Sequence, residues 1–203
     1  LFEKCIKKQL YGEAYLVRFA DDFLIMFQYE RDAQRVYEAI IRRMELFGLE
    51  LSKEKTRILP FGRNCGTRET FDFLGFTHFN SKTRKGYYSV GHKISRKKKK
   101  QFKSNLKKWV KENRTTQFDE FMKTLNKKLT GSFNYYSLSG MIKEVRNLWQ
   151  HSLYVTFKWL NRRSQRKSFK LERFYVVWQE RIIHPYIHVD IWSGGKVIYN
   201  KNV

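Results

Sequence analysis

Asp21 and Asp22 stand side by side between two apolar runs, Tyr15–Phe19 and Phe23–Phe27. Burying two unpaired carboxylates against Phe19 and Phe23 is costly, so the doublet belongs at a turn that water can reach. Two chemistries fit such a turn. Aspartate is a favoured turn residue, and solvation alone accounts for the pair. The same two groups are also hard oxygen ligands of the kind Mg²⁺ takes, since that ion keeps several waters and needs few protein carboxylates. Spacing by itself favours the plain turn.

The flanking residues must hold the doublet in place. Tyr15, Val17 and Phe19 alternate with Leu16, Arg18 and Ala20, and strand-forming residues resume at Phe23, so residues 15–28 read as a β-hairpin. Ala33, Val36, Tyr37, Ile40, Ile41, Met44 and Phe47 then follow one helical face, with Gly48 placed for a C-terminal cap. A short strand is expected at Thr56–Leu59 before Pro60. Two more strands are expected at Phe71–Phe79 and Gly86–Val90. Beyond these the pattern becomes helical. Phe102, Leu106, Trp109 and Val110 form one stripe, and Thr116 with Asp119 fits a capping box for a second helix. A third helix is expected from Met141 to about Arg163, and a mixed tail follows from Ser168.

Charge divides the chain. The 203 residues carry 42 Lys and Arg against 19 Asp and Glu, a formal +23. Residues 1–92 hold 16 basic and 12 acidic side chains, and residues 93–203 hold 26 and 7. Such an excess calls for a polyanionic partner. No apolar run is longer than Phe23–Phe27, far short of the ~20 residues of a membrane span, and interleaved aromatics favour nucleic acid over a lipid surface. Cys5 and Cys65 have no companions at metal-ligand or disulfide spacing. The five histidines suggest no site; His184 and His188 are separated by Pro185. No secretory leader is visible, and a reduced compartment, bacterial cytoplasm or organelle, is expected. The chain begins at Leu1 inside an amphipathic stretch and reads as part of a longer protein.

The stretch Val17-Arg-Phe-Ala-Asp-Asp-Phe-Leu-Ile25 resembles the [YF]ADD motif of reverse transcriptases, with Phe19 where Tyr is commoner. Further resemblances follow in order. Phe47-Gly-Leu-Glu-Leu-Ser-Lys-Glu-Lys-Thr-Arg-Ile58 is similar to the segment after the motif helix in group II intron enzymes. Phe71-Asp-Phe-Leu-Gly-Phe76 is similar to the primer-gripping hairpin. Leu125-Asn-Lys-Lys-Leu-Thr-Gly-Ser-Phe-Asn-Tyr-Tyr136 is similar to the maturase thumb signature. The four span residues 15 to about 165.

This resemblance implies an α+β chain: a partial reverse-transcriptase palm of antiparallel hairpins and a helix (1–92), an all-α thumb (93–180) and a tail (181–203). It implies an RNA-directed DNA polymerase and intron-splicing maturase working by two-Mg²⁺ nucleotidyl transfer. Asp21 matches the stronger metal ligand and Asp22 the second; the third carboxylate and the nucleotide-holding fingers lie outside these residues, so the chain alone is expected to be inactive. Lys55 matches a lysine that approaches the pyrophosphate, although a solvated turn lysine fits equally. Phe73, Leu74, Gly75 and Phe76 form the implied primer grip, with Gly75 either admitting a primer strand or marking a bulge. Gly131 is either part of the signature or a helix terminator. The implied partners are group II intron RNA, an RNA template–DNA primer duplex, dNTP and an upstream fingers/palm half; no membrane partner is implied.

Ten bases against one acid over residues 93–112 leave Arg96, Lys97, Lys98, Lys99, Lys100, Lys103, Lys107, Lys108 and Lys111 without partners within the helix, and these are expected to face phosphates. Arg162, Arg163, Arg166 and Lys167, with Lys170 and Arg173, form a second basic cluster. Tyr135, Tyr136, Trp149 and Trp159 are expected in the core. Two rivals share these motifs: a group II-like reverse transcriptase without an intron, serving defence or repair, and a non-catalytic RNA-binding splicing cofactor.

Overall fold

The computed structural model describes residues 2–52, 54–163, 168–191 and 194–197. They fall into two compact units, Leu1–Leu74 with His78–Gly91, and Gly75–Thr77 with His92–Val203.

The first unit opens with a wide helical turn, Phe2–Ile6, and a 3₁₀ turn, Lys7–Gln9. Strand β1 (Ala14–Phe19) then pairs antiparallel with β2 (Asp22–Phe27), in register from Ala14 opposite Phe27 to Phe19 opposite Asp22. Helix α1 (Glu30–Leu46) follows and packs on β2. Its sequence has no Gly or Pro, Glu30 and Asp32 meet the positive end of the helix, and Gly48, at φ +66°, takes the left-handed position just past its end. The apolar stripe lies on one side, yet only Ala33 and Val36 of it are fully buried, and Phe47 is 67% exposed. The strand expected at Thr56–Leu59 does not form. The N–H groups of Lys55 and Thr56 turn back to the Ser52 carbonyl, and the Arg57 side chain, not a strand ladder, reaches the Thr70 carbonyl at 2.6 Å.

Strands β3 (Thr70–Phe73), β4 (Phe76–Lys82) and β5 (Tyr88–Ile94) form a sheet in that order. The single strand expected over Phe71–Phe79 is therefore two strands, broken at Leu74 and Gly75, which both have positive φ (50° and 81°). That pair of angles is what a two-residue hairpin turn requires. Apolar residues continue through the turn, so periodicity alone could not reveal it.

The second unit holds the main core. Helix α2 (Arg96–Asn113) begins at Ser95, whose hydroxyl accepts the Lys98 N–H at 3.3 Å, and packs on α4 (Ile142–Leu160). Helices α3 (Phe118–Tyr136) and α5 (Leu171–Arg181) complete a bundle around Val110, Phe121, Leu125, Phe133, Val145 and Trp178. The capping box expected from Thr116 and Asp119 is not made. The N-cap of α3 is Gln117 without a side-chain bond, and Asp119 instead pairs with Arg181 on α5. Gly131 lies inside α3 and does not end it. Helix α4 stops at Leu160, earlier than the expected 163. Past α5 the chain stays attached: the Ile183 N–H donates to Asn126 Oδ1 at 2.8 Å, and the His188 N–H to the Ser137 carbonyl at 2.7 Å. Two short strands, β6 (Val189–Asp190) and β7 (Lys196–Val197), pair beyond it.

Candidate metal centre and nucleic-acid interface

Six residue pairs hold β1 to β2, so the doublet sits at a determined place: Asp21 in the two-residue turn and Asp22 as the first residue of β2. Both are exposed, and neither carboxylate has a hydrogen-bond or ion-pair partner among the described residues. The turn residue before them, Ala20, has φ +51°, a region that costs an L-residue roughly 1–2 kcal/mol and is usually given to glycine in such a turn. Arg18 Nε donates to the Ala20 carbonyl at 2.9 Å and helps hold this conformation. Strain of this kind collects where a backbone must aim particular side chains.

Oxygen-only donors, solvated and unpaired, suit a hard divalent ion in their chemistry. Among the described residues, however, no three His, Cys, Asp or Glu side chains gather where a metal ion could be held, and the doublet stands without a third such group beside it. Lys55 lies exposed in the turn after Ser52, and no hydrogen bond or ion pair among the described residues joins it to either carboxylate.

The expected grip residues are placed as follows. Phe73 ends β3, Leu74 and Gly75 make the turn, and Phe76 begins β4. Within the second unit, Phe76 stacks on Tyr135 with centroids 5.6 Å apart and meets Tyr136 edge-on at 5.7 Å. The Gly75 carbonyl accepts the Ser95 N–H at 3.0 Å. Burial first, and Tyr135 second, raise the Tyr136 phenol above its ordinary pKa. Tyr135 departs from its core expectation at 53% exposed, while Trp149 is buried and its indole N–H donates to the Ile183 carbonyl at 3.1 Å.

On α2, Arg96, Lys97, Lys98, Lys100, Lys103, Lys107, Lys108 and Lys111 are exposed. Lys99 differs: it is half-buried and paired with Glu144 of α4, a partner that a count along one helix could not show. In the second cluster, Arg162 is exposed, and Arg163 Nε donates to the Leu160 carbonyl at 3.2 Å. Arg166 and Lys167 lie outside the described residues. Arg114, which no sequence pattern singles out, also belongs here, beside Arg162 of the second cluster. Arg114, just past α2, and Arg162, just past α4, both approach Trp159, which is half-buried beneath them. No local pattern signals that meeting, because it joins two helix ends 48 positions apart.

Residues 1–78 match the family model described as reverse transcriptase (RNA-dependent DNA polymerase). That segment is similar to reverse transcriptases. Residues 99–176 match a second family model, group II intron, maturase-specific domain, and the two matches together cover about three quarters of the chain. The chain belongs to the group II intron reverse transcriptase/maturase family. No curated protein matches it. Among the described residues no helix is long and apolar enough to cross a membrane.

Proposed function

We propose that the chain joins the catalytic hairpin of a reverse-transcriptase palm (1–92) to the RNA-gripping thumb of a group II intron maturase (93–180), with residues 181–203 as a tail. The observation that carries this reading is the solvated Asp21–Asp22 doublet on a strained, fully paired hairpin, inside the segment that matches reverse transcriptases. Asp21 and Asp22 would hold Mg²⁺, with the third carboxylate supplied from outside these residues. When bound, the metal supplies activation of the primer 3′-hydroxyl and neutralisation of charge on the α-phosphate and the departing pyrophosphate.

The protein's own residues then position the strands. Lys55 stands as a cation for the pyrophosphate. Phe73, Leu74, Gly75 and Phe76 offer a tight turn for the primer end. The exposed lysines of α2, with Arg162, Arg163, Arg166 and Lys167, bind template–primer and intron RNA through phosphates, which fixes register without reading sequence. Tyr15, Val17, Phe19 and Met26 are 43–63% exposed on the two-stranded hairpin. A lone hairpin is marginally stable, which supports an upstream fingers/palm half as the partner that covers it.

The test uses the chain completed by that half. Asp21→Ala should abolish primer extension while intron RNA binding survives. Undiminished extension would overturn the catalytic reading.

A further inference from the structure

Trp159, at the C-terminal end of α4, is surrounded by three cations. The Lys111 ammonium lies 5.8 Å from the ring centroid, the Arg114 guanidinium 5.5 Å and the Arg162 guanidinium 5.3 Å. No two of them can therefore be more than about 11 Å apart, close to the ~8 Å Debye length at physiological salt, so their repulsion is incompletely screened. No ion pair is made by any of the three among the described residues. Two ordinary effects favour cations here: the negative ends of α2 and α4, and the face of the indole. Each attracts one cation, but neither needs three around one ring.

We propose that Lys111, Arg114 and Arg162, gathered on Trp159, form a discrete site for one backbone phosphate of a polynucleotide. The charge is preassembled, since Lys111 and Arg114 come from the end of α2 and Arg162 from the end of α4, two helices that pack on each other. Two forked guanidinium groups and one ammonium match a phosphate's several acceptor oxygens. The indole serves as the platform that fixes the cations, so it carries no base. A carboxylate ligand would find the same charge, but the wider surface of α2 is lined with exposed lysines that continue a phosphate track to this point.

This inference rests on the RNA-binding reading above, and its test separates the two. The probe is an end-labelled single-stranded oligouridylate, bound to the full chain over a range of chloride concentrations. Arg114→Gln and Arg162→Gln should each flatten the slope of log K against log[salt] in part, and the triple variant with Lys111→Gln by about 0.7, the loss of one phosphate contact. Lys85→Gln, in the turn before β5, should leave the slope unchanged. The melting temperature without RNA should hold or rise, because repulsion has been removed. Unchanged slopes with a lowered melting temperature would show that the cations only cap and pack, overturning the site. Unchanged slopes with a melting temperature raised by inorganic phosphate in the parent but not in the triple variant would make it a free-anion site, which also overturns the assignment. If Lys100→Gln and Lys107→Gln flatten the slope while the Trp159 cluster does not, this inference alone fails. If none of them does, the RNA-binding reading fails with it.

Discussion

The buried carboxylate of Asp32 accepts the backbone N–H of Gly12 at 3.0 Å, and the same oxygen accepts that of Tyr11 at 3.0 Å. One side chain in the first turn of α1 thus ties down the segment that feeds β1, the strand leading to Asp21. Among the described residues its other oxygen is buried without a partner.

Asp32→Ala should destabilise the first unit by roughly 2 kcal/mol, since two part-buried N–H groups lose a charged acceptor. Asp32→Asn keeps one acceptor oxygen and should cost about 1 kcal/mol. Denaturant unfolding gives the two values, and faster amide exchange at Tyr11 and Gly12 in the alanine variant locates the loss. Equal stability of the alanine variant and the parent would contradict this role.

Gly91 lies against Phe79 across the β4–β5 pairing. A Cβ at position 91 would come within 2.5 Å of two ring atoms of Phe79. Gly91→Ala should therefore cost roughly 1–3 kcal/mol through overpacking. Adding Phe79→Leu should recover part of it, a coupling that a double-mutant cycle reads directly.

Lys99 and Lys100 are neighbours with different duties. Lys99 is occupied by Glu144, whereas Lys100 is exposed. Lys100→Gln should flatten the salt slope of single-stranded RNA binding by about 0.7, and Lys99→Gln by clearly less. Conversely, Lys99→Gln should lower thermal stability, by no more than about 1 kcal/mol for so accessible a pair. Equal slopes for both variants would mean that the ion pair opens when RNA binds.

His151 on α4 has its pKa lowered, first by burial and second by the Lys103 ammonium on α2. The unfolded chain therefore binds the proton more readily than the folded one. Stability from this group is fully present above the unfolded value of about 6.5 and is lost as pH falls below it. His151→Gln should reduce the drop in melting temperature between neutral and mildly acidic buffer. An identical drop in parent and variant would count against the assignment.

Much of this protein is written in local sequence. Alternating residues on either side of Asp21–Asp22 specify a hairpin, because side chains along a strand change face at every residue. The 3–4 spacing from Ala33 to Met44 specifies α1, and the stripes through Leu106, Leu125 and Val145 specify a bundle, which together make the chain α+β. The motifs around Ala20 and Gly131 were enough to place it in its family. Folding decided the rest, because it depends on which distant groups meet. The split of Phe71–Phe79 at Leu74 and Gly75 follows from two backbone angles that hydropathy does not encode. Asp119 leaves the cap of its own helix for Arg181, 62 positions away, and Lys99 leaves the exposed lysine face of α2 for Glu144. The three cations around Trp159 come together only when two helix ends pack side by side. Short-range periodicity sets which face of an element is apolar; the choice of partner for each charge is a long-range event, settled by the packed chain.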